Sequence, residues 1–248
     1  TLLAITSHAP VSQFDLLHAL APQVLAAGPV ACLALDGARF HGHHDRVWTA
    51  APGNLHLSVA LPTRLSAATA GASLSMLPAV VVCDAVATVT GGAVRPAIKW
   101  VNDIMVPSGK LAGVLTRTRV LGRAIDLAVF GAGVNLATAP AVSPTPFVPA
   151  TACLSECPGA EGVTLGALAW ATLDAFAARL GQLTLHGPGP IAEDYRRLST
   201  VLGRHVRIWD DRATSGVNSQ DWPPPIAEGV VTAIGDDLSL TIDGRREA

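Results

Sequence analysis

Aromatic side chains are scarce in this chain: five Trp, five Phe and one Tyr account for 4% of 248 residues. The interior must therefore be packed mainly with aliphatic groups. With 50% hydrophobic residues there is enough of them for a sizeable core, as one large domain plus a small one. Charge is sparse as well: 15% of residues are charged, and 17 Lys and Arg stand against 19 Asp and Glu. A net charge of −2 gives no reason to expect a nucleic-acid or anionic-membrane partner. Cys32, Cys83, Cys153 and Cys157 form neither a dense disulfide scaffold nor a close-spaced zinc pattern. They read as small core residues, and a reducing cytoplasm is the expected location. Uninterrupted apolar runs of membrane length are also missing. The best candidate, Ala72 to Val89, is broken by Pro78, Asp84 and several hydroxyl residues, and reads as a buried helix. The N-terminal residues lack a basic region followed by a small-residue cleavage site, so no signal peptide is expected.

What the chain does have is a stretch, Lys99 to Leu115, that sets two lysines, an Asn-Asp pair and two glycines between apolar runs. Ile98 to Val101 and Ile104 to Val106 have short strand character. Val106-Pro107-Ser108-Gly109 suits a type I turn, with Pro second and Gly fourth. Lys110 then sits just past a tight turn, at the start of a strand whose Gly113 leaves the backbone bare. A lysine beside bare backbone suits a phosphate or carboxylate; an ordinary exposed hairpin with solvated lysines fits the same spacing.

Other segments fall into place around this hairpin. Ser12 with Asp15 reads as a capping box opening a helix to about Ala27, and Pro29 to Leu35 reads as a buried strand. Ala51-Pro52-Gly53-Asn54 suits a type II turn leading into a strand over Leu55 to Leu61, on which His56 reads as a structural side chain. Leu111 to Arg119 and Ile125 to Val134 supply further strands. Ala139 to Pro149 carries Pro140, Pro144, Pro146 and Pro149 and reads as a surface excursion. Thr164 can cap a helix with Leu165, Leu168, Phe176 and Leu180 on one face, and a short helix over about Ile191 to Leu198 follows. From Gly203 onward the texture is short β-like runs between polar turns. The sum is a mixed β-sheet backed by helices.

Lys99-Trp100-Val101-Asn102-Asp103, followed by Gly109-Lys110-Leu111-Ala112-Gly113-Val114-Leu115, resembles the signature of the biotin protein ligase family within the biotin and lipoate ligase superfamily. Trp48 to Ser58 is similar to that family's Trp-x-Ser-Pro-x-Gly-Asn-Leu-Tyr-Leu-Ser segment, and Gly131-Ala132-Gly133-Val134-Asn135 to its Gly-x-Gly-Ile-Asn strand end. The resemblance implies an α+β (α/β) fold: a class II synthetase-like catalytic domain over residues 1–200 and a small C-terminal β-barrel-like domain over 201–248. It also implies ATP and Mg²⁺, with biotin as the substrate carboxylate. The acid would be activated to an acyl-adenylate and the acyl group passed to a lysine of a carboxyl carrier domain. By the same resemblance Lys110 supplies the cation at the reacting centre, while Asn102 and Asp103 place metal or nucleotide and orient the incoming amine. Gly113 lines the biotin pocket and Arg46 contacts phosphate. Gly42, Trp48, Asn54, Lys99, Trp100 and Asn135 fall on the substrate or nucleotide side. No residue is assigned to a resident metal, and a homodimer is one option for the assembly. With no room ahead of residue 1 for the winged DNA-binding domain some members carry, a repressor role is not expected.

Two departures from the family pattern bear on function. Where the family carries Ser-Thr-Asn to hold the biotin ring, this chain has Pro10-Val11-Ser12-Gln13, so two hydroxyls are missing and weaker biotin binding is expected. The family's Gly-Arg-Gly-Arg-Arg-Gly-Arg-x-Trp loop reads here Phe40-His41-Gly42-His43-His44-Asp45-Arg46-Val47-Trp48. Arginine is permanently cationic and forks onto phosphate, whereas histidine is mostly neutral at pH 7. The loop can be a diverged ligand loop, a solvated segment or a transition-metal site. The alternatives to a biotin ligase are therefore a ligase-like binding protein without efficient transfer and a lipoate- or octanoate-handling relative.

Overall fold

The computed structural model describes residues 2–20, 22–43, 46–210 and 221–247. Strands β1 (Leu2–Thr6), β2 (Val30–Ala34), β3 (Leu55–Ser66), β4 (Ala97–Lys99), β5 (Asp103–Val106), β6 (Gly109–Leu121) and β7 (Ala124–Val134) form one mixed sheet. Its order is β1-β2-β3-β7-β6-β5-β4. β1 runs parallel to β2 and the other neighbours are antiparallel. The helices are α1 (Gln13–His18), α2 (Pro22–Leu25), α3 (Ala67–Val89), α4 (Leu165–His186) and α5 (Gly189–Leu198). Strands β8 (His205–Ile208), β9 (Ala227–Ile234), β10 (Leu240–Ile242) and β11 (Arg245–Glu247) form a second, antiparallel sheet of four strands. This is the mixed sheet with a small C-terminal β unit that the residues and the resemblance called for.

Side chains alternate across a strand, so each long strand has two jobs. On β3, Leu55, Leu57 and Val59 point into the main core, where they meet Phe130, Ala132 and Val134 of β7 and the buried residues of α3 and α4. The opposite side of the same strand carries His56, Ser58 and Ala60. At one end of that second face Ala60, Leu127 and Val129 are covered by Phe14 and Leu17 of α1 and Leu25 of α2. The other end is left for the cavity described below.

α3 is long and apolar enough to cross a membrane by length and composition, with 67% of its most apolar stretch buried inside the protein. It is apolar on nearly every side because the sheet, α4 and α5 surround it. Pro78 sits within it and has no N–H for the Leu74 carbonyl; the Thr116 hydroxyl of β6 donates to that oxygen instead, at 3.2 Å.

The first helix differs from its sequence reading. Instead of one helix from Ser12 to Ala27 the chain forms α1 and α2, because Pro22 cannot continue the ladder of α1 and opens a new turn. Ser12 makes no side-chain cap, and Asp15, the expected capping-box partner, faces His41 and Arg117. β1 has no counterpart among the predicted strands, and β3 runs to Ser66 rather than Leu61. Thr164 does cap α4, accepting from Ala167 N at 3.2 Å.

The second sheet packs into the same interior as the first. Val231, Ile234, Leu240 and Ile242 belong to the main core cluster, and Arg196 Nε of α5 donates to Ile234 O at 2.7 Å. Between β7 and α4 the proline-rich excursion 139–149 is irregular and mostly exposed.

Candidate active site

The register of the large sheet draws the chemistry into one line. His56 on β3 pairs with Gly133 on β7, Gly133 with Gly113 on β6, Gly113 with Asp103 on β5, and Asp103 with Lys99 on β4. Cross-strand partners share a face, so an imidazole, two glycines, a carboxylate and an ammonium follow one another across five strands. In the middle the glycines make a flat floor, and the indole of Trp48 rests on it. A Cβ on Gly133 would come within 2.5 Å of Trp48 Cε2, and one on Gly113 within 3.1 Å of Trp48 Cζ3. In the next row Gly131, paired with Ser58, admits the ring of Phe14, which a Cβ would meet at 3.1 Å.

The hairpin end is charged and fully paired. Lys110 Nζ lies 2.5 Å from Asp103 Oδ1, and Lys99 Nζ lies 3.4 Å from Asp103 Oδ2. Lys99 also donates to Phe147 O at 2.6 Å, which ties the proline-rich excursion to the hairpin. Lys110 is held by its backbone too: its N–H donates to Ala150 O and its carbonyl accepts from Ala152 N, both at 2.9 Å. Gly109 makes that approach possible. It has φ of +146°, and a Cβ there would fall 2.7 Å from Ala150 O. Lys110 Nζ stands 5.8 Å from the Trp48 ring centroid, so ammonium, carboxylate and indole form one fixed group. Asn102 donates from Nδ2 to Val114 O at 2.8 Å, pinning the β4–β5 turn against β6.

Between this hairpin and the loop that precedes β3 lies a cavity of about 120 Å³, lined among others by Asn102, Asp103, Lys110, Gly113, Gly133 and Trp48. The loop forms its other side as a small hairpin: His41 bridges Val47, Trp48 N donates to Phe40 O at 2.9 Å, and Gly42 N donates to Arg46 O at 2.7 Å. Gly42, Arg46, His41 and His43 line the cavity. His41 Nε2 is 2.9 Å from Asp15 Oδ2 and its Nδ1 is 3.2 Å from Gly42 O, so both ring nitrogens face protein oxygens. Among the described residues no three His, Cys, Asp or Glu side chains gather to hold an ion. His44 and Asp45 lie outside the described residues.

Among the described residues, three buried polar atoms have no hydrogen-bond partner: Gln13 Oε1, His56 Nδ1 and Trp48 Nε1. All three residues line this one cavity. Leaving such atoms unpaired is costly, and all three belong to residues packed around the cavity. Sequence reasoning took His56 as structural and passed over Gln13, Gly131 and Gly133 as site residues. The available signal was the period-2 spacing that puts Gly131 and Gly133 on one side of β7.

Four of the residues assigned by resemblance, Lys99 among them, stand apart from the lining of the cavity. Asn54 accepts at Oδ1 from Leu136 N, Ala137 N and Thr138 N at 2.9–3.1 Å and donates to Thr138 O at 2.8 Å. Asn135, 1% exposed, donates to Ala152 O at 3.1 Å. Both hold the chain as it leaves β7. Trp100 donates from Nε1 to Leu238 O at 2.9 Å and so fastens the large sheet to the C-terminal one.

Residues 40–135 match the Biotin/lipoate A/B protein ligase family. A biotin acetyl-CoA-carboxylase ligase of Paracoccus denitrificans is 31% identical over 185 residues, covering 73% of this chain and 75% of that protein. One from Mycobacterium tuberculosis is 33% identical over 172 residues, 67% of this chain and 59% of that protein. Among solved structures, the biotin protein ligase from Aquifex aeolicus in complex with biotin and ATP aligns over 100% of this chain and 94% of its own, with a TM-score of 0.72 at 15% identity. A biotin protein ligase-like protein of unknown function from Silicibacter aligns over 99% and 91%, with a TM-score of 0.67 at 14% identity. The solved structures establish a shared fold, and with the Paracoccus relative matched over three quarters of its length, the chain belongs to the biotin/lipoate protein ligase family.

Proposed function

We propose that this protein is an ATP-dependent ligase that activates the carboxylate of biotin to an acyl-adenylate and passes the acyl group to a lysine of a carrier domain. The observation that supports it best is the fixed Lys110–Asp103–Lys99 group at the edge of a cavity floored by bare glycine backbone. In the first step a carboxylate oxygen attacks the α-phosphorus and pyrophosphate leaves. Two anions must be brought together, and a cation already in place lowers that barrier without reorganising. Lys110 takes this role. Asp103 holds it and acts as a positioning residue, and Asn102 keeps the turn that carries both. Arg46 is the phosphate contact retained by the histidine-rich loop, and Gly42 and Trp48 shape the ligand side. In the second step the carrier lysine's neutral amine attacks the acyl carbon, and AMP leaves with the bonding pair.

Mg²⁺ is part of the chemistry the family uses, yet Asp103 is the one carboxylate lining the cavity among the described residues, and both its oxygens face lysines. A dedicated protein cage for the ion does not fit there. Mg²⁺ would come bound to the ATP phosphates, as it commonly does, and would offset their charge there. Asn54, Asn135 and Trp100 act through the fold: the first two set the path after β7 and the third docks residues 201–248, the appended C-terminal unit, on residues 1–200. Four free cysteines suit work in a reducing cytoplasm.

A second reading, binding without transfer, is favoured by one observation: His41 is turned to Asp15 and not offered to a phosphate. The two are separated by mass spectrometry of the protein incubated with MgATP and biotin, lipoate or octanoate in turn. The ligase reading expects an acyl-adenylate with biotin. A bound acid with no adenylate from any of the three supports the second reading.

A further inference from the structure

We propose that Trp209 and Trp222 of the C-terminal unit are positioning residues for the ligation: they seat Phe147, whose carbonyl holds Lys99 and through it the Asp103–Lys110 pair. The inference rests on the ligase reading in taking that lysine and carboxylate group to serve adenylation.

In a chain with five Trp, five Phe and one Tyr, two of the tryptophans and one phenylalanine meet outside the buried core clusters. The Phe147 ring stacks on Trp222 with centroids 4.9 Å apart and planes at 19°. Trp209 leans on both, 6.2 Å from Phe147 and 5.5 Å from Trp222. Each ring has a stiff support. Trp209 directly follows β8, and its Nε1 donates to Pro223 O at 2.9 Å. Trp222 is followed by Pro223-Pro224-Pro225, whose φ angles are fixed, and Ile226 N then donates to Ile208 O at 2.8 Å as the chain enters β9. On the other side Phe147 stands inside a closed turn: Thr145 N donates to Val148 O at 3.0 Å, and Val148 N to Thr145 Oγ1 at 2.9 Å.

This cluster reaches the active site through one backbone atom. Phe147 O accepts from Lys99 Nζ at 2.6 Å, whereas Asp103 Oδ2 lies 3.4 Å from the same nitrogen. The closer partner of Lys99 is therefore the proline-rich excursion, and the ring stack decides where its carbonyl stands. Residues 141–146 ahead of Phe147 are all exposed, so the rings supply packing that the excursion lacks. With Lys99 drawn to Phe147 O, Asp103 keeps Oδ1 for Lys110 at 2.5 Å. Released from the carbonyl, Lys99 would close on Asp103 or turn to solvent, and either move alters the field in which Lys110 sits. The C-terminal unit thus takes part in holding the charged group, although none of its described residues lines the cavity.

Lys99 and Lys110 are the only lysines in the chain, so acylation of lysine amines reads this group directly. The test acetylates the whole chain with a limiting dose of an N-hydroxysuccinimide ester and maps the product by mass spectrometry. Trp222→Ala should speed modification of Lys99 about tenfold over the wild type, as loss of one hydrogen bond from a charged group does. Trp222→Phe, which keeps a ring, should restore most of the protection, and Trp170→Ala on the exposed side of α4 should change nothing. In single turnovers with MgATP and biotin, Trp222→Ala should slow adenylation about tenfold while the biotin concentration for half-maximal rate stays the same. Added to Lys99→Met it should cause no further loss, because both act through one contact. Trp209→Ala repeats these readings where Trp222→Ala fails to fold. Equal acylation of Lys99 in the wild type and in both Trp→Ala variants overturns the proposal, as does full additivity of the Trp222→Ala and Lys99→Met losses. Release of Lys99 in Trp222→Ala, with no adenylate from the wild type, would sink the ligase reading and keep the seating of Lys99. Adenylate formed equally by both proteins, with Lys99 equally protected, would do the reverse.

Discussion

The two walls of the cavity are built on opposite terms. On the hairpin wall every charge already has a partner: Asp103 lies between Lys110 and Lys99, and Lys99 also holds the Phe147 carbonyl. The wall formed by α1, β3 and Trp48 keeps three buried polar atoms unpaired. A wall that is satisfied without ligand is rigid before the reaction begins, which is what stabilising a transition state requires. Under the proposed ligase reading the first wall serves the chemistry and the second faces the ligand, within a space of about 120 Å³.

Substitutions on each wall sharpen that contrast. Lys110→Ala should give the largest effect, a fall of about 100- to 1000-fold in adenylate formation, with the thermal unfolding midpoint little changed. Single-turnover pyrophosphate release measures it. Next comes the floor. Gly133→Ala sets a methyl group 2.5 Å from the Trp48 indole, and overpacking of that kind costs about 1–3 kcal/mol in a urea melt. Gly181→Ala on α4 makes the control: nothing lies within 4 Å of its Cβ, and a gain of about 0.5–1 kcal/mol is expected there. Lys99→Met should lower adenylation about tenfold, near 1.4 kcal/mol, because it acts on Lys110 only through Asp103.

The smallest effect is a pH dependence of stability from the second wall. Burial is the largest influence on His56 and holds its pKa below 6.5, outweighing the Ala51 carbonyl and Asp36, which favour the cation. Below about 6.5 the unfolded chain therefore binds more protons than the folded one. This contribution to stability is complete above about 6.5 and is lost as pH falls through the window beneath it. His18 is lowered as well, by burial and then by Arg117 and Arg119, and adds to the same slope. Chemical denaturation at a series of pH values should show the slope reduced, not abolished, in His56→Asn. An identical slope in wild type and variant would mean that His56 is not held neutral by the fold.

The charged wall was legible in the sequence and the second wall was not. Lys99, Asn102, Asp103, Lys110 and Gly113 lie within the short run of β4, β5 and β6, so local turn chemistry and a short motif place them together. Gln13, Trp48 and His56 come from three separate segments, and only the register of β3 with β7 and the docking of α1 unite them. Asn54 and Asn135 carry the right motif letters, but their side chains are used by the backbone that follows β7. The single helix over 12–27 failed at Pro22, where the local rule against proline in a helix interior outweighed the apolar spacing. The apolar stretch of α3 reads as a buried helix in the sequence, and the sheet, α4 and α5 surround it in the fold.

Biotin-dependent release of pyrophosphate from ATP, followed in one turnover for wild type and Lys110→Ala, tests the central claim most directly. The account predicts release by the wild type with biotin and a loss of at least 100-fold in the variant. Equal release by the two proteins, or none by the wild type with biotin, lipoate or octanoate, would contradict it.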